Sequence, residues 1–424
     1  MKSDLKSLEN KFIKIYGNDK IVLDNQFDRY SEIIKKHKKE FGENALHLFS
    51  TSGRIEIGGN HTDHNHGRVI AASINLDSIA AVSNNNRNEV KLFSTGFEKP
   101  FVIDLNMMDV IEEENGTTNS LVRGVAKGFL EQGYVIGGFD AYMTSNVLIG
   151  SGLSSSASIE VLIGTIFSEL FNSGDIQNQE LAKIGQYAEN VFFGKPCGLM
   201  DQMACAVGGI IDIDFEDPSK PIVEKNNFDF NSTNYCVVVV NTGGSHADLT
   251  NEYASIPGEM KSIAKALNKN VCREISYNDL LKNINMLRTS FGDRAVLRAI
   301  HFLQENERVI HLSESLRNNN FKQFLSHINN SGNSSFKYLQ NIFSVTNVKE
   351  QGISLALALT EKFIEEIGEG ACRVHGGGFA GTILSFLPNS KFEKYNEQMQ
   401  FVFGTDSVSK LDIRNEGTYY LGEV

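Results

Sequence analysis

Residues suited to chemistry gather in three stretches of this chain. The first is Gly150-Ser-Gly-Leu-Ser-Ser-Ser-Ala-Ser158, two glycines among a run of serines. Glycine lets the backbone bend and lets a ligand come close. Serine hydroxyls beside the free N–H groups of a helix start form an anion site, helped by the helix dipole. A nucleotide phosphate is the natural occupant, whereas a plain serine cap would need only one hydroxyl. The Walker pattern is absent, since no lysine follows the loop glycines. The dinucleotide pattern GxGxxG fails at its third glycine, where Ser155 stands.

The second stretch is Thr51-Ser-Gly-Arg-Ile-Glu-Ile-Gly-Gly-Asn-His-Thr-Asp-His-Asn-His-Gly67. A zinc reading would use His61, Asp63, His64 and His66. Their spacing matches no helical histidine pair, and the glycines around them argue for a loop. A polar loop gripping a polyhydroxyl ligand fits better, because sugars need several fixed donors and acceptors. The third stretch is Glu189-Asn-Val-Phe-Phe-Gly-Lys-Pro-Cys-Gly-Leu-Met-Asp-Gln202. Asp201 lies there among Leu199, Met200, Met203 and Ala204, and an acid in apolar surroundings needs a partner or a job. Beside a phosphate loop, metal ligand or base is the reading for such an acid.

Periodicity supplies the elements that must position these residues. Phe139, Ala141, Met143 and Val147 alternate with polar neighbours, which predicts a strand over 139–148. Ile159, Leu162, Ile163, Ile166, Phe167 and Leu170 recur at three and four residues, which predicts a helix with one buried face. Residues 1–45 carry helical patterns, and Lys35–Lys39 reads as a solvated helix face. Residues 46–82 read as strand, polar loop, strand, and strands follow near 90–94 and 100–105. Helices are expected over 119–131, 180–193, 257–330 and 348–367, and strands over 208–215, 235–241, 382–387 and 417–423. A further glycine cluster, His375-Gly-Gly-Gly-Phe-Ala-Gly381, leads into the strand at 382. Strands first, helices between and few strict βαβ repeats point to an α+β chain in two lobes, 1–215 and 216–424.

The chain has 424 residues, enough for two or three domains, with 41% hydrophobic and 22% charged residues. The net charge of −12 argues against a nucleic-acid partner or an acidic membrane surface. No apolar run reaches membrane-spanning length, and no signal-peptide pattern follows Met1. Five scattered cysteines without a CxxC fit a reducing cytoplasm.

Taken together and in order, the stretches resemble the GHMP small-molecule kinases, the galactokinase family in particular. Gly53-Arg54 with Gly59-Asn60-His61-Thr62-Asp63-His64-Asn65 is similar to the sugar signature. Gly150–Ala157 is similar to the phosphate loop, Gly194–Gln202 to the catalytic segment, and Gly376–Gly381 to the third glycine motif. The resemblance implies an N-terminal lobe like ribosomal protein S5, a ferredoxin-like C-terminal lobe and an active site in the cleft. It implies ATP with Mg²⁺ and phosphorylation of the anomeric hydroxyl of galactose; a monomer is expected, although the sequence does not set the oligomeric state. Asp201 would be the base or orienting acid, and Arg54 would keep it ionised and stabilise the transferring phosphoryl. Asn60, His61, Asp63 and Tyr253 would bind sugar. Gly150, Ser151, Gly152, Leu153, Ser154, Ser155, Ser156, Ala157, Gly377 and Gly378 would bind ATP. Ser156 and Glu189 would hold Mg²⁺.

This chain departs from the family pattern at several positions. Asn60 stands where a sugar-contacting glutamate is usual, His64 replaces a tyrosine, Leu148 a proline, and Val374-His375 a Met-Thr pair. A different acceptor altered at C6, such as galacturonate or fucose, is therefore a second reading. A sugar and ATP sensor without turnover is a third, disfavoured by the presence of Ser154–Ala157, Glu189 and Asp201.

Overall fold

The computed structural model describes residues 5–147, 152–244 and 249–424. Gly150 and Ser151 of the glycine loop, and Leu148 before it, lie outside the described residues. Two sheets organise the rest. Helices α1 (Glu9–Tyr16) and α2 (Lys20–Phe41) precede strands β1 (His47–Gly58), β2 (Arg68–Asn84), β3 (Glu89–Ser94) and β4 (Phe101–Asp104). Helix α3 (Thr118–Glu131), strand β5 (Phe139–Ser145), helices α4 (Ser155–Phe171), α5 (Asn178–Tyr187) and α6 (Met200–Val207), and strands β6 (Ile210–Asp214) and β7 (Ile222–Asn226) follow. The first sheet has the order β12-β1-β2-β5-β3-β4, with β6 on β2 and β7 on β6, where β12 (Thr418–Glu423) is the last strand of the chain. The second sheet has the order β11-β8-β10-β9, formed by β8 (Tyr235–Asn241), β9 (Ala371–Val374), β10 (Thr382–Pro388) and β11 (Val408–Leu411). Helices α7 (Thr250–Ala266), α8 (Tyr277–Lys282), α9 (Ile284–Phe291), α10 (Asp293–Arg317), α11 (Phe321–Ser334), α12 (Gly352–Ile367) and α13 (Phe392–Phe403) complete the second half. This is the α+β, two-lobed arrangement expected from the strand and helix order.

Three boundaries differ from the periodicity reading, each for a physical reason. The polar loop expected from residue 51 begins only after Gly58, because β1 runs on through Arg54 and Glu56. Strand β1 is central, paired with β12 and β2, and nearly every residue in it is buried, so no in–out alternation marks it. The helix expected over 180–193 is α-helical to Tyr187 and then widens into a π turn over Ala188–Phe192. Residues 215 and 216 fall between β6 and β7, a hairpin whose two strands both belong to the first sheet. The chain reaches the second sheet only at Tyr235, and β12 returns to the first.

The lobes share a core. Ile55, Ile57, Ile70 and Leu153 of the first half cluster with Val237, Val239, Leu384 and Phe386 of the second sheet. Leu153 thus anchors the glycine loop in apolar contacts, and Ala157 does so in a second cluster with Val161 and Met203. Burying a side chain such as Leu153 contributes about 2 kcal/mol. The loop is tied to the strand that carries Arg54 by the same packing.

Candidate active site

Arg54 projects from the central strand β1, and Asp201 from the first turn of α6. Arg54 donates Nε to Asp201 Oδ1 at 2.7 Å and Nη2 to Oδ2 at 2.6 Å. This two-pronged geometry fixes the carboxylate plane as well as its charge. Nη1 of Arg54 donates to the carbonyl of Gly152, and the Arg54 amide donates to the carbonyl of Leu153 at 3.1 Å. The arginine therefore binds the Asp201 segment and the glycine loop at once.

Burial pushes the Asp201 carboxyl up, but the Arg54 charge and hydrogen bonds outweigh it and hold the group at about 2. Asp201 is ionised at neutral pH, and its side chain keeps 27% of its surface exposed. Ser154 adds a hydrogen bond from Oγ to Asp201 Oδ2 at 2.5 Å. Its φ of 64° is left-handed, which is uncommon for serine. That turn aims the hydroxyl at Asp201, and Ser154 makes no side-chain cap on α4.

Ser156 faces the other acid, donating Oγ to Glu189 Oε1 at 2.9 Å. Glu189 sits on the π turn, a local widening that recurs at functional sites. Lys195 donates to the same Oε1 at 2.9 Å, and Gln202 donates to Oε2 at 2.7 Å. Glu189 is 1% exposed, and the fully buried Glu160 lies near it. Burial and the charge of Glu189 both raise the Glu160 carboxyl. The buried Glu189 calls for a positively charged partner, and a Ser hydroxyl with one carboxylate is a hard, sparse donor set of the kind that suits Mg²⁺. The Lys195 ammonium is such a partner, at 2.9 Å from Glu189 Oε1. Among the described residues, no cluster of three or more His, Cys, Asp or Glu side chains could hold a metal, which sets aside the zinc reading of the polar loop.

The sugar-loop residues converge on the third glycine motif. Asn60 donates Nδ2 to the carbonyl of Gly376 at 2.6 Å, His61 donates Nε2 to Gly377 at 3.0 Å, and Tyr253 donates its hydroxyl to Gly378 at 2.8 Å. Asn60 is fully buried. Its amide also donates to Glu56 Oε1 at 3.0 Å, and its oxygen accepts from Asn341 at 2.8 Å and Ser335 at 3.3 Å. The Asn60 side chain is therefore satisfied by the protein itself rather than offered to a ligand. Burial and neighbouring His64 push His61 down to about 3, so it is neutral.

Asp63 lies on a short 3₁₀ turn, with Oδ1 accepting the His64 amide at 2.9 Å. Its Oδ2 lies so close to Gly198 that a side-chain carbon there would be 1.8 Å away, so only glycine lets the Asp201 segment approach. Gly377 meets the Tyr253 ring in the same way, at 2.7 Å from such a carbon. Asp63 and Tyr253 therefore stand beside the catalytic segment and the third glycine motif.

Several further residues support the site. Helix α10 braces the sugar loop: His301 donates to the Asn60 carbonyl at 2.9 Å, Glu305 accepts the Gly59 amide at 3.0 Å, and Asn306 accepts the Arg68 amide at 2.9 Å. The imidazole of His375 accepts the Glu56 amide at Nε2, 3.1 Å away, and donates from Nδ1 to Thr382 at 3.1 Å. Glu56 and Arg373 form a buried pair at 2.6 Å that joins β1 to β9. Spacing along the chain offers no signal for most of these, since every partner pair but His375 and Thr382 is hundreds of residues apart. Glu160 had one: it lies a helical turn after Ser156.

A family model described as the GHMP kinases N terminal domain matches residues 120–209, and one described as the galactokinase galactose-binding signature matches residues 35–84. A galactokinase of Clostridium acetobutylicum is 31% identical over 376 residues, covering 88% of this chain and 93% of its own. One of Clostridium tetani is 30% identical over 377 residues, covering 87% of this chain and 91% of its own. Among solved structures, Lactococcus lactis galactokinase complexed with galactose aligns with a TM-score of 0.78 at 23% identity, covering 93% of this chain and 99% of that one. The mevalonate kinase of Methanococcus jannaschii aligns at 0.61 and 17% identity, covering 86% and 98%. At those identities the two structures speak for the fold.

Proposed function

The chain belongs to the galactokinase family of the GHMP kinases, enzymes that use ATP, and on that premise we propose that it phosphorylates galactose at its anomeric hydroxyl to give galactose 1-phosphate. The observation that carries this reading is the Arg54–Asp201 pair. It places an ionised carboxylate, a fixed guanidinium and the glycine-loop carbonyl of Gly152 in one bonded unit.

Phosphoryl transfer asks for positioning and charge neutralisation more than for covalent chemistry. Held at about 2, Asp201 is too weak a base to strip the hydroxyl before transfer begins. It orients the C1 hydroxyl by accepting its hydrogen bond and takes the proton as the new oxygen–phosphorus bond forms. Arg54 holds Asp201 in place and offers positive charge to the phosphoryl group in transit. The start of α4, with Ser155 and Ser156, and the glycines Gly377 and Gly378 are read as the ATP side of the site. Asp63, His61 and Tyr253 are read as its sugar side, and Asn60 as the residue that holds the third glycine motif against the sugar loop.

Ser156 and Glu189 would hold Mg²⁺, which when bound would screen the negative charge of the phosphates. Five free cysteines, four of them buried, support a reducing compartment such as the cytoplasm. The test is ADP release over a panel of galactose, galacturonate and fucose. Preference for galactose supports the reading. Preference for either of the others assigns the chain to a different acceptor.

A further inference from the structure

The carboxylate assigned to the cation is itself held by a second acid through one amide. Gln202 Nε2 donates to Glu189 Oε2 at 2.7 Å and to Glu160 Oε2 at 2.9 Å, so both hydrogens of that amide are engaged. Glu160 and Gln202 are fully buried, and Glu189 is 1% exposed. The other oxygen of Glu189 faces Ser156 and Lys195. Ser156 and Glu160 lie four residues apart on α4 and so share a face. The four side chains close a ring: Ser156 to Glu189, Glu189 to Gln202, Gln202 to Glu160, and back along one turn of α4.

The packing is built around this ring. Helix α5 passes it at Gly185, where a side-chain carbon would lie 3.2 Å from both Gln202 Cγ and Glu160 Cβ. A bulkier residue would press directly on the bridge.

We propose that Glu160 and Gln202 are positioning residues for Glu189: Glu160 fixes which way the Gln202 amide points, and Gln202 in turn fixes the orientation of Glu189 toward Ser156. An amide carries a donor and an acceptor on the same carbon. Turned over, it would set its oxygen against the Glu189 carboxylate, and the two would repel. Glu160 prevents that by accepting the second hydrogen of the NH₂ group. The outer partners of a metal-ligating carboxylate orient it, and losing one costs about 10- to 100-fold in metal affinity. This inference rests on the reading of Ser156 and Glu189 as the cation site.

The test is Mn²⁺ binding to the purified full-length protein, read by the electron paramagnetic resonance signal of free Mn²⁺. Glu160→Leu and Gln202→Leu are each expected to raise the Mn²⁺ dissociation constant about 10- to 100-fold. Glu160→Gln keeps an oxygen that can accept the Gln202 hydrogen, and it is expected to bind Mn²⁺ within about threefold of the parent. If either leucine variant folds and binds Mn²⁺ like the parent, the inference is overturned. It is equally overturned if Glu160→Gln weakens binding as much as Glu160→Leu, since negative charge at residue 160 would then be what matters. Glu189→Ala separates the two levels. Loss of Mn²⁺ there with normal binding in both leucine variants rejects only the positioning roles. Normal binding in Glu189→Ala rejects the cation site itself, and the positioning roles with it.

Discussion

Arg54 holds both oxygens of Asp201, through Nε at 2.7 Å and Nη2 at 2.6 Å, from the middle of a buried strand. A guanidinium forks in a plane that a lysine ammonium cannot reproduce. Arg54→Lys is therefore expected to keep the positive charge and lose the geometry. Its kcat should fall on the order of 10²-fold or more, with a smaller change in KM for galactose. Steady-state kinetics of ADP release check this. An unchanged kcat would show that the fork does not act in the transition state.

Ser154 adds a short hydrogen bond to the same carboxylate. Hydrogen bonds to charged groups contribute about 1.5–3 kcal/mol. Ser154→Ala should lower kcat by roughly 10- to 100-fold. It also removes one of the groups that hold the Asp201 carboxyl at about 2, so that group should titrate at higher pH. Carbon-13 spectra of labelled aspartate in parent and variant would follow the shift.

Acid should weaken the fold before it touches Asp201. Burial keeps His61, His301 and His375 neutral, with His61 pushed from 6.5 down to about 3. Between 6.5 and about 3 the unfolded chain takes up the His61 proton and the folded chain does not, so stability present at neutral pH is lost as pH falls, and the lowered His301 and His375 act with the same sign. His61 contributes up to about 1.4 kcal/mol per pH unit in that window. Urea unfolding at pH 7.5 and 5.5 is expected to show the loss, and His61→Gln should make the slope shallower. The Asp201 contribution has the same sign but a lower window: it is present above 3.8 and lost as pH falls toward about 2.

The glycine loop and the Asp201 segment were legible in the sequence because each is a compact run whose residue types state their chemistry. Strand β1 beyond Ser50 was not, since burial on both faces erased the alternation that marks a strand. The role of Asn60 was also hidden. Its partners Gly376, Asn341 and Ser335 come from the far half of the chain, and nothing near residue 60 announces them. The π turn at Ala188–Phe192 continues a helical pattern, so periodicity alone reads it as ordinary helix.

Glu56 and Arg373 tie β1 to the second sheet as a pair with side chains 5% and 0% exposed. Removing one partner of a buried pair strands the other charge and costs about 3–5 kcal/mol. Arg373→Met should lower stability by that amount, and Glu56→Leu combined with Arg373→Met should recover most of it. Urea midpoints of the two single variants and the double variant check this. Additive losses would show that the charges are not coupled.

Whether Asp201 orients the anomeric hydroxyl for transfer from ATP is answered most directly by the product. The purified protein would be mixed with galactose and ATP, and the sugar phosphate followed by phosphorus magnetic resonance beside Asp201→Asn. Galactose 1-phosphate with equimolar ADP is expected from the parent. The variant, which keeps its shape but loses the carboxylate, should be slower by on the order of 10²- to 10⁴-fold. Phosphate on another hydroxyl, ADP without a sugar phosphate, or a variant that turns over like the parent would contradict the account.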